Sequence, residues 1–157
     1  MASSGVNQFN KILSKLQKTI KEAVSNDAIK PVGEFAIGII AKRTRLGYGV
    51  KESFGERSKL KALSSRYVEQ RKKMRLSDLT TPKRSNLTLT GQMIDSLQYK
   101  IVGNGRISIQ PSGTRTDGKR NLDIARYNAA RGRVFMNLSK NEFKQITRFY
   151  RKTFGDL

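Results

Sequence analysis

Three aspartates lie near residues 96–110, and carboxylates are side chains that can act in acid–base or metal chemistry. Asp95, Asp117 and Asp123 do not fall at the spacing of a known acid–base pair or metal site. Because the chain has no histidine and no cysteine, the commonest general base and the usual zinc ligands are missing. Gly103 and Gly105 lack the third glycine and the following helix of a dinucleotide site. We therefore expect a protein that is not an enzyme and holds no cofactor or metal, with Asp95 as a surface or capping carboxylate.

Positive charge is the strongest compositional feature. The 32 lysines and arginines outnumber the 12 acidic residues, so the formal net charge is +20. Such a field opposes self-association of the free chain and attracts polyanions or acidic protein surfaces, although a merely soluble surface is a third explanation. The densest basic tract spans residues 42–75. Its candidate partner- or DNA-facing residues are Lys51, Arg57, Lys59, Lys61, Arg71, Lys72, Lys73 and Arg75.

Length and apolar content bound the architecture. A chain of 157 residues suits one domain, and its apolar fraction of 36% leaves less core than usual and more surface for partners. No run approaches the roughly 20 apolar residues that cross a bilayer. The N-terminus leads into a lysine-bearing amphipathic segment, which is not the pattern of a signal peptide.

Apolar residues at three- and four-residue steps predict two helices in the N-terminal part. The first runs from about residue 6 to 25, and the cluster at 25–27 predicts its end. Pro31 suits the first turn of a second helix that continues to about Arg43. A single helix with a proline kink is the alternative, and we favour two helices.

The middle of the chain predicts a loop, a helix and a second loop. Glycines mixed with charges from Thr44 to Leu60 predict a flexible loop. A helix follows at Ala62–Met74, with Ser64 or Ser65 as its N-cap. The segment 77–86 again has the composition of a loop.

Period-two alternation appears after residue 95. Residues 96–102 and 106–110 alternate apolar and polar around a Gly-Asn-Gly turn, which predicts a β-hairpin with one apolar face. An exposed loop and a short helix near 122–129 follow. Ser139 and Glu142 stand at capping-box spacing and open a last helix that Gly155 ends.

These elements predict an α+β fold: a small antiparallel sheet built on a β-hairpin, packed with N-terminal and C-terminal helices and long loops. The chain is expected to form a single domain, 1–157, that comprises a helical hairpin (6–43), a basic loop and helix (44–86), a hairpin sheet region (87–138) and a C-terminal helix (139–155).

Three ordered segments carry a family resemblance. They are Leu63-Ser64-Ser65-Arg66-Tyr67, then Leu87-x-x-Thr90-Gly91-x-Met93-x-x-Ser96, then Arg133-x-Phe135-Met136-x-Leu138-Ser139-x-x-Glu142. With Tyr127-Asn128 between the last two, the set resembles the phage virion morphogenesis or minor tail component family, the neck and tail-completion proteins of tailed bacteriophages. Met93 departs from the usual leucine, and Gly132 stands where a proline often precedes the arginine.

The resemblance implies a structural virion protein of the head–tail junction. Copies would form a homo-oligomeric ring around the DNA channel and join the portal or connector to the tail, with other neck, connector and tail proteins as partners and no membrane. The protein would be made in the host cytoplasm. We expect the basic tract to meet acidic faces of adjacent rings or the passing DNA. The family-like residues are expected to be scaffold corners that touch no partner: Thr90, Gly91, Ser96, Arg133, Phe135, Leu138, Ser139 and Glu142.

Two alternatives remain open from the sequence. The first is a basic domain that binds nucleic acid without sequence preference; the chain matches no recognition-helix, zinc-finger or RNA-binding pattern, so its contacts would be to phosphates. The second is another neck ring protein, such as a head-closure or tail-terminator protein.

Overall fold

A computed structural model describes residues 14, 26–74, 83–85, 87, 91–102 and 106–155. Its helices are α1 (Asn26–Arg45), α2 (Ser65–Lys73), α3 (Gln92–Asp95), α4 (Asn121–Ala130) and α5 (Lys140–Phe154). Its strands are β1 (Tyr48–Val50), β2 (Arg57–Lys59), β3 (Leu97–Ile101) and β4 (Ile107–Pro111). The strands form two separate antiparallel pairs, β1–β2 and β3–β4. The predicted α+β fold class is confirmed.

Helix α1 packs against more of the other elements than any other helix of the described residues. It contacts β3, β4, β1 and α5. Its apolar face contributes Ile40 and Ala41 to a core that also takes residues from α3, α4, β3 and two connecting segments. The buried core residues are Ile40, Ala41, Leu60, Met93, Ile94, Leu97, Ala125 and Phe135. Among the described helices, none is long and apolar enough to cross a bilayer.

The second predicted helix is present, but it begins earlier than predicted. Helix α1 starts at Asn26 and runs through Pro31, which lies inside the helix and not in its first turn. Proline fixes φ near the helical value, and near an N-terminus it removes few hydrogen bonds. The predicted first helix, about residues 6–25, lies outside the described residues apart from Ser14. The choice between two helices and one kinked helix stays a prediction.

The prediction of a flexible loop over Thr44–Leu60 is wrong, because this segment contains the β1–β2 hairpin. Tyr48 pairs with Lys59, and Val50 pairs with Arg57. Gly49 is buried, and a Cβ atom placed there would stand 2.1 Å from the carbonyl oxygen of Val134. The hairpin is therefore ordered by close contact with a distant segment, which its own sequence pattern does not reveal.

The predicted β-hairpin and helix caps are confirmed. In the β3–β4 pair, Leu97 is opposite Pro111 and Ile101 is opposite Ile107, and burial alternates along both strands. Its Gly-Asn-Gly turn lies outside the described residues. Ser64 caps α2, since its Oγ accepts a hydrogen bond from the amide of Tyr67 at 3.3 Å. The capping box at the start of α5 also forms as predicted.

Two glycines of α1 give a matched test of this packing. Gly38 has open space where a Cβ would stand, so Gly38→Ala should raise the free energy of unfolding by about 0.5–1 kcal/mol through helix propensity. At Gly33 the new Cβ would lie 2.6 Å from Cγ of Tyr99. Gly33→Ala should therefore lower the free energy of unfolding by about 1–3 kcal/mol through overpacking. Urea unfolding of both variants measures the difference. Equal stabilisation by both changes would show that α1 does not pack on β3 as described.

Candidate functional site

Most of the predicted basic residues are exposed. Lys51, Lys59, Lys61, Lys72 and Lys73 are all exposed on the β1–β2 hairpin, the segment after it and α2. Lys72 pairs with Glu69 at 2.6 Å. Arg75 lies outside the described residues.

Arg57 is exposed as well, but it has partners within the fold. Its Nε lies 3.9 Å from Glu142 Oε1, and its guanidinium stands 5.6 Å from the centre of the Tyr48 ring. It therefore borders the structural contacts at the start of α5, and only part of its side chain faces solvent.

The prediction that Arg71 faces a partner is wrong. Its relative exposure is 4%, and its Nη1 donates a hydrogen bond to the carbonyl oxygen of Arg84 at 2.8 Å. Burial lowers the pKa of this guanidinium, because desolvation disfavours the charged form. Arg71 faces inward, and its hydrogen bond to the Arg84 carbonyl ties α2 to the segment 83–85.

A buried ion pair joins α1 to α5. The side chains of Arg43 and Glu142 are 1% and 4% exposed, and Arg43 Nη1 donates to Glu142 Oε2 at 2.5 Å. Arg43 also donates through Nη2 to the carbonyl oxygen of Phe135. Burial lowers the pKa of Arg43, and the charge of Glu142 opposes that shift. The arginine therefore connects two segments that are distant in sequence.

Glu142 has a second structural role at the start of α5. Its Oε2 accepts a hydrogen bond from the amide of Ser139 at 2.9 Å, and the Ser139 Oγ accepts one from the amide of Glu142 at 3.3 Å. The capping box that the sequence predicts is thus also one end of the ion pair. The sequence signals the cap but not its buried partner.

The other family-like residues also stabilise the backbone. Gly91 has a φ of +74° at the N-cap of α3, a conformation that favours glycine. Ser96 Oγ donates to the carbonyl oxygen of Met93, and Arg133 donates to the carbonyl oxygens of Lys61 and Ala62 at 3.2 and 3.1 Å. Phe135 is buried in the core and Leu138 packs against it. Thr90 lies outside the described residues.

These segments also surround a cleft of ≈ 470 Å³, which the sequence did not predict. We call it the arginine cleft. Its lining residues are Leu63, Ser64, Tyr67, Arg71, Leu87, Met93, Arg115, Ile124, Tyr127, Asn128, Arg131 and Arg133. Four of these are arginines, and none of the lining residues in the described part of the chain is acidic. The Arg131 guanidinium stands 4.3 Å from the centre of the exposed Tyr127 ring. The family-like segments therefore line a concave surface as well as forming scaffold corners.

The carboxylates first considered for chemistry are each close to an arginine. Asp95 is exposed and accepts a hydrogen bond from Arg45. Asp117 lies 3.5 Å from Arg115, and Asp123 lies 2.7 Å from Arg120. Within the described residues, no three potential ligands are grouped to hold a metal ion.

The loop between β1 and β2 carries the most exposed of the large apolar side chains in the described residues. We call its residues 52–56 the hairpin tip. Phe54 is 58% exposed at its centre, with Glu52 and Glu56 exposed on either side. Its amide donates to the carbonyl oxygen of Leu138 at 2.7 Å, and its ring meets Phe143 edge-to-face at 5.2 Å. A signal for this feature is present in the sequence as an aromatic residue between two acids in a basic tract.

A scan against protein-family models found no match, and searches of curated proteins and of solved structures found none either.

The Arg43–Glu142 pair predicts a large loss of stability when one partner is removed. Glu142→Ala leaves the Arg43 guanidinium buried without its carboxylate and should lower the free energy of unfolding by about 3–5 kcal/mol. Glu69→Ala removes an exposed ion pair and should lower it by less than about 1 kcal/mol. Urea unfolding of both variants measures the two losses of stability.

A double variant tests the coupling between the partners. Arg43→Met combined with Glu142→Ala should lose less than the sum of the two single losses, since each single change leaves a buried group without its partner. Strict additivity would mean that the two side chains do not stabilise each other.

Proposed function

We propose that this protein is a structural subunit of the head–tail junction of a tailed phage, a neck or tail-completion ring that joins the portal or connector to the tail around the DNA channel. It acts by binding other proteins and catalyses no reaction. Copies form a closed ring through head-to-tail contacts, which close when the rotation between neighbours permits.

One observation carries the proposal. The three segments that resemble the family, 63–67, 87–96 and 133–142, are far apart in sequence, yet each contributes residues to the arginine cleft. Segments that stabilised only their own local turns would have no need to meet at one concave surface. Their convergence supports a shared role in contacting another molecule, as a ring subunit requires.

The surface charge supports the same proposal. Lys51, Lys59, Lys61 and Lys73 are exposed and form no ion pair within the described residues. Positive charge that is not neutralised within the chain can be neutralised by acidic faces of adjacent rings or by DNA in the channel. Such complementarity sets the register and rate of association more than its affinity.

Reversal of these four charges tests the proposal. A Lys51→Glu, Lys59→Glu, Lys61→Glu and Lys73→Glu variant should block head–tail joining in complementation of a phage lacking the protein, because it would repel the same acidic partners. Electron microscopy should show separate heads and tails. The unfolding midpoint should change little, since all four side chains are exposed.

A control variant carries the same change in net charge at other exposed lysines: Lys100, Lys119, Lys144 and Lys152. It should still support joining if the four residues of the basic tract act by position and not by net charge alone. Normal infectious particles from the first variant would contradict the proposal. An image of the neck that counts copies per ring would separate a tail-completion ring from a head-closure or tail-terminator ring.

The second candidate function is nucleic-acid binding without sequence preference. The observation that favours it is the arginine cleft, where Tyr67 and Tyr127 stand among arginines, since aromatic rings and cations together bind single strands. A gel shift with DNA in rising salt tests whether the protein binds nucleic acid. A binder with six to ten phosphate contacts should lose about 10³–10⁵-fold in affinity between 50 and 200 mM salt. Absence of binding at low salt would remove this candidate.

A further inference from the structure

The lining of the arginine cleft suits the binding of an acidic segment that carries an aromatic residue. Arg131 is exposed and Arg115 and Arg133 are partly exposed, so three of its four arginines can donate hydrogen bonds to carboxylates. Its apolar lining comes from Leu63, Leu87, Met93 and Ile124. A volume of ≈ 470 Å³ is of the size that accommodates a small ligand or a large side chain with its neighbours.

The hairpin tip has the complementary chemistry. Among the exposed large apolar side chains of the described residues, Phe54 is the most exposed. Glu52 and Glu56, which flank this phenylalanine, form no ion pair within the described residues. Glu34 on α1 also forms none there.

The tip is also held in place before any partner arrives. Phe54 has a φ of +63°, and its amide donates a hydrogen bond to the carbonyl oxygen of Leu138. Phe54 also forms an isolated β-bridge with Ser139. These contacts attach it to the start of α5. Neither the tip nor these contacts belong to the cleft lining, so the tip stands outside the cleft of its own chain. A projection fixed in this way loses little conformational entropy on binding.

We infer that the hairpin tip of one copy inserts into the arginine cleft of the next, with Phe54 on the apolar lining and Glu52 and Glu56 against the arginines. The inference rests on the proposed function and names the contact between ring subunits. Two copies with this excess of positive charge repel each other over most of their surfaces, so an acidic tip and a basic cleft define where they can meet. The contact joins different surfaces, which is the geometry of a closed ring or a filament.

Two variants, one for each surface, test the contact. The tip variant carries Glu52→Gln, Phe54→Asn and Glu56→Gln; asparagine tolerates the positive φ of position 54. The cleft variant carries Tyr127→Ala and Arg131→Gln, two exposed residues that are not in the core. Glu34→Gln is the matched control, because it removes an exposed carboxylate that lies in neither surface. All variants are full-length chains, and urea unfolding checks that they remain folded.

Sedimentation velocity at rising protein concentration measures self-association. Wild type and Glu34→Gln should form multi-copy assemblies, and each surface variant alone should weaken self-association by at least about 30-fold, as expected for loss of a hot-spot anchor. A mixture of the two surface variants retains one intact tip and one intact cleft per pair. It should therefore form 1:1 dimers and stop there.

Other outcomes would overturn the inference. Surface variants that assemble like wild type would place the subunit contact elsewhere. A mixture that stays monomeric, or a wild type that never associates, would show that the tip does not bind the cleft. The proposed function is judged separately, by head–tail joining with the four-lysine variant, so failure of this contact leaves that proposal standing.

Discussion

The buried ion pair between Arg43 and Glu142 is the constraint on which the arrangement of the described residues depends. Two charges removed from water are costly unless they meet with good geometry and further hydrogen bonds. Here the carboxylate also accepts from the Ser139 amide, and the guanidinium also donates to the Phe135 carbonyl. The end of α1, the segment before α5 and the first turn of α5 must therefore come together at one place.

The segment from Arg133 to Ser139 links that constraint to the surface. At its beginning, Arg133 lines the arginine cleft and donates hydrogen bonds to the carbonyl oxygens of Lys61 and Ala62, just before α2. At its end, Leu138 and Ser139 anchor the hairpin tip. The ion pair holds the middle of the segment through Phe135, so one short stretch of chain sets the distance and direction from cleft to tip. In the inferred subunit contact, the distance and direction from cleft to tip would set the rotation between neighbouring copies.

Local patterns predicted well what depends on near neighbours. The alternation around Gly103–Gly105 predicted β3 and β4, and the serines at 64 and 139 predicted two helix starts, because strand pairing across a short turn and helix capping involve residues close in sequence. The β1–β2 hairpin was missed because its order comes from Gly49 packing on the Val134 carbonyl. The burial of Arg71 was missed for a similar reason, since its guanidinium donates a hydrogen bond to the carbonyl oxygen of Arg84, 13 positions away.

The sequence by itself determined the excess of positive charge, the lack of histidine and cysteine chemistry, and most of the local elements, because composition and short-range spacing are properties of the chain alone. Only the tertiary structure decided which charges are buried, that Arg43 meets Glu142, and that three distant segments line one cleft. It also decided that Phe54 projects between its two glutamates. The physical reason is that such contacts join residues tens of positions apart, so they depend on the path of the whole chain and leave no periodic signal in either partner.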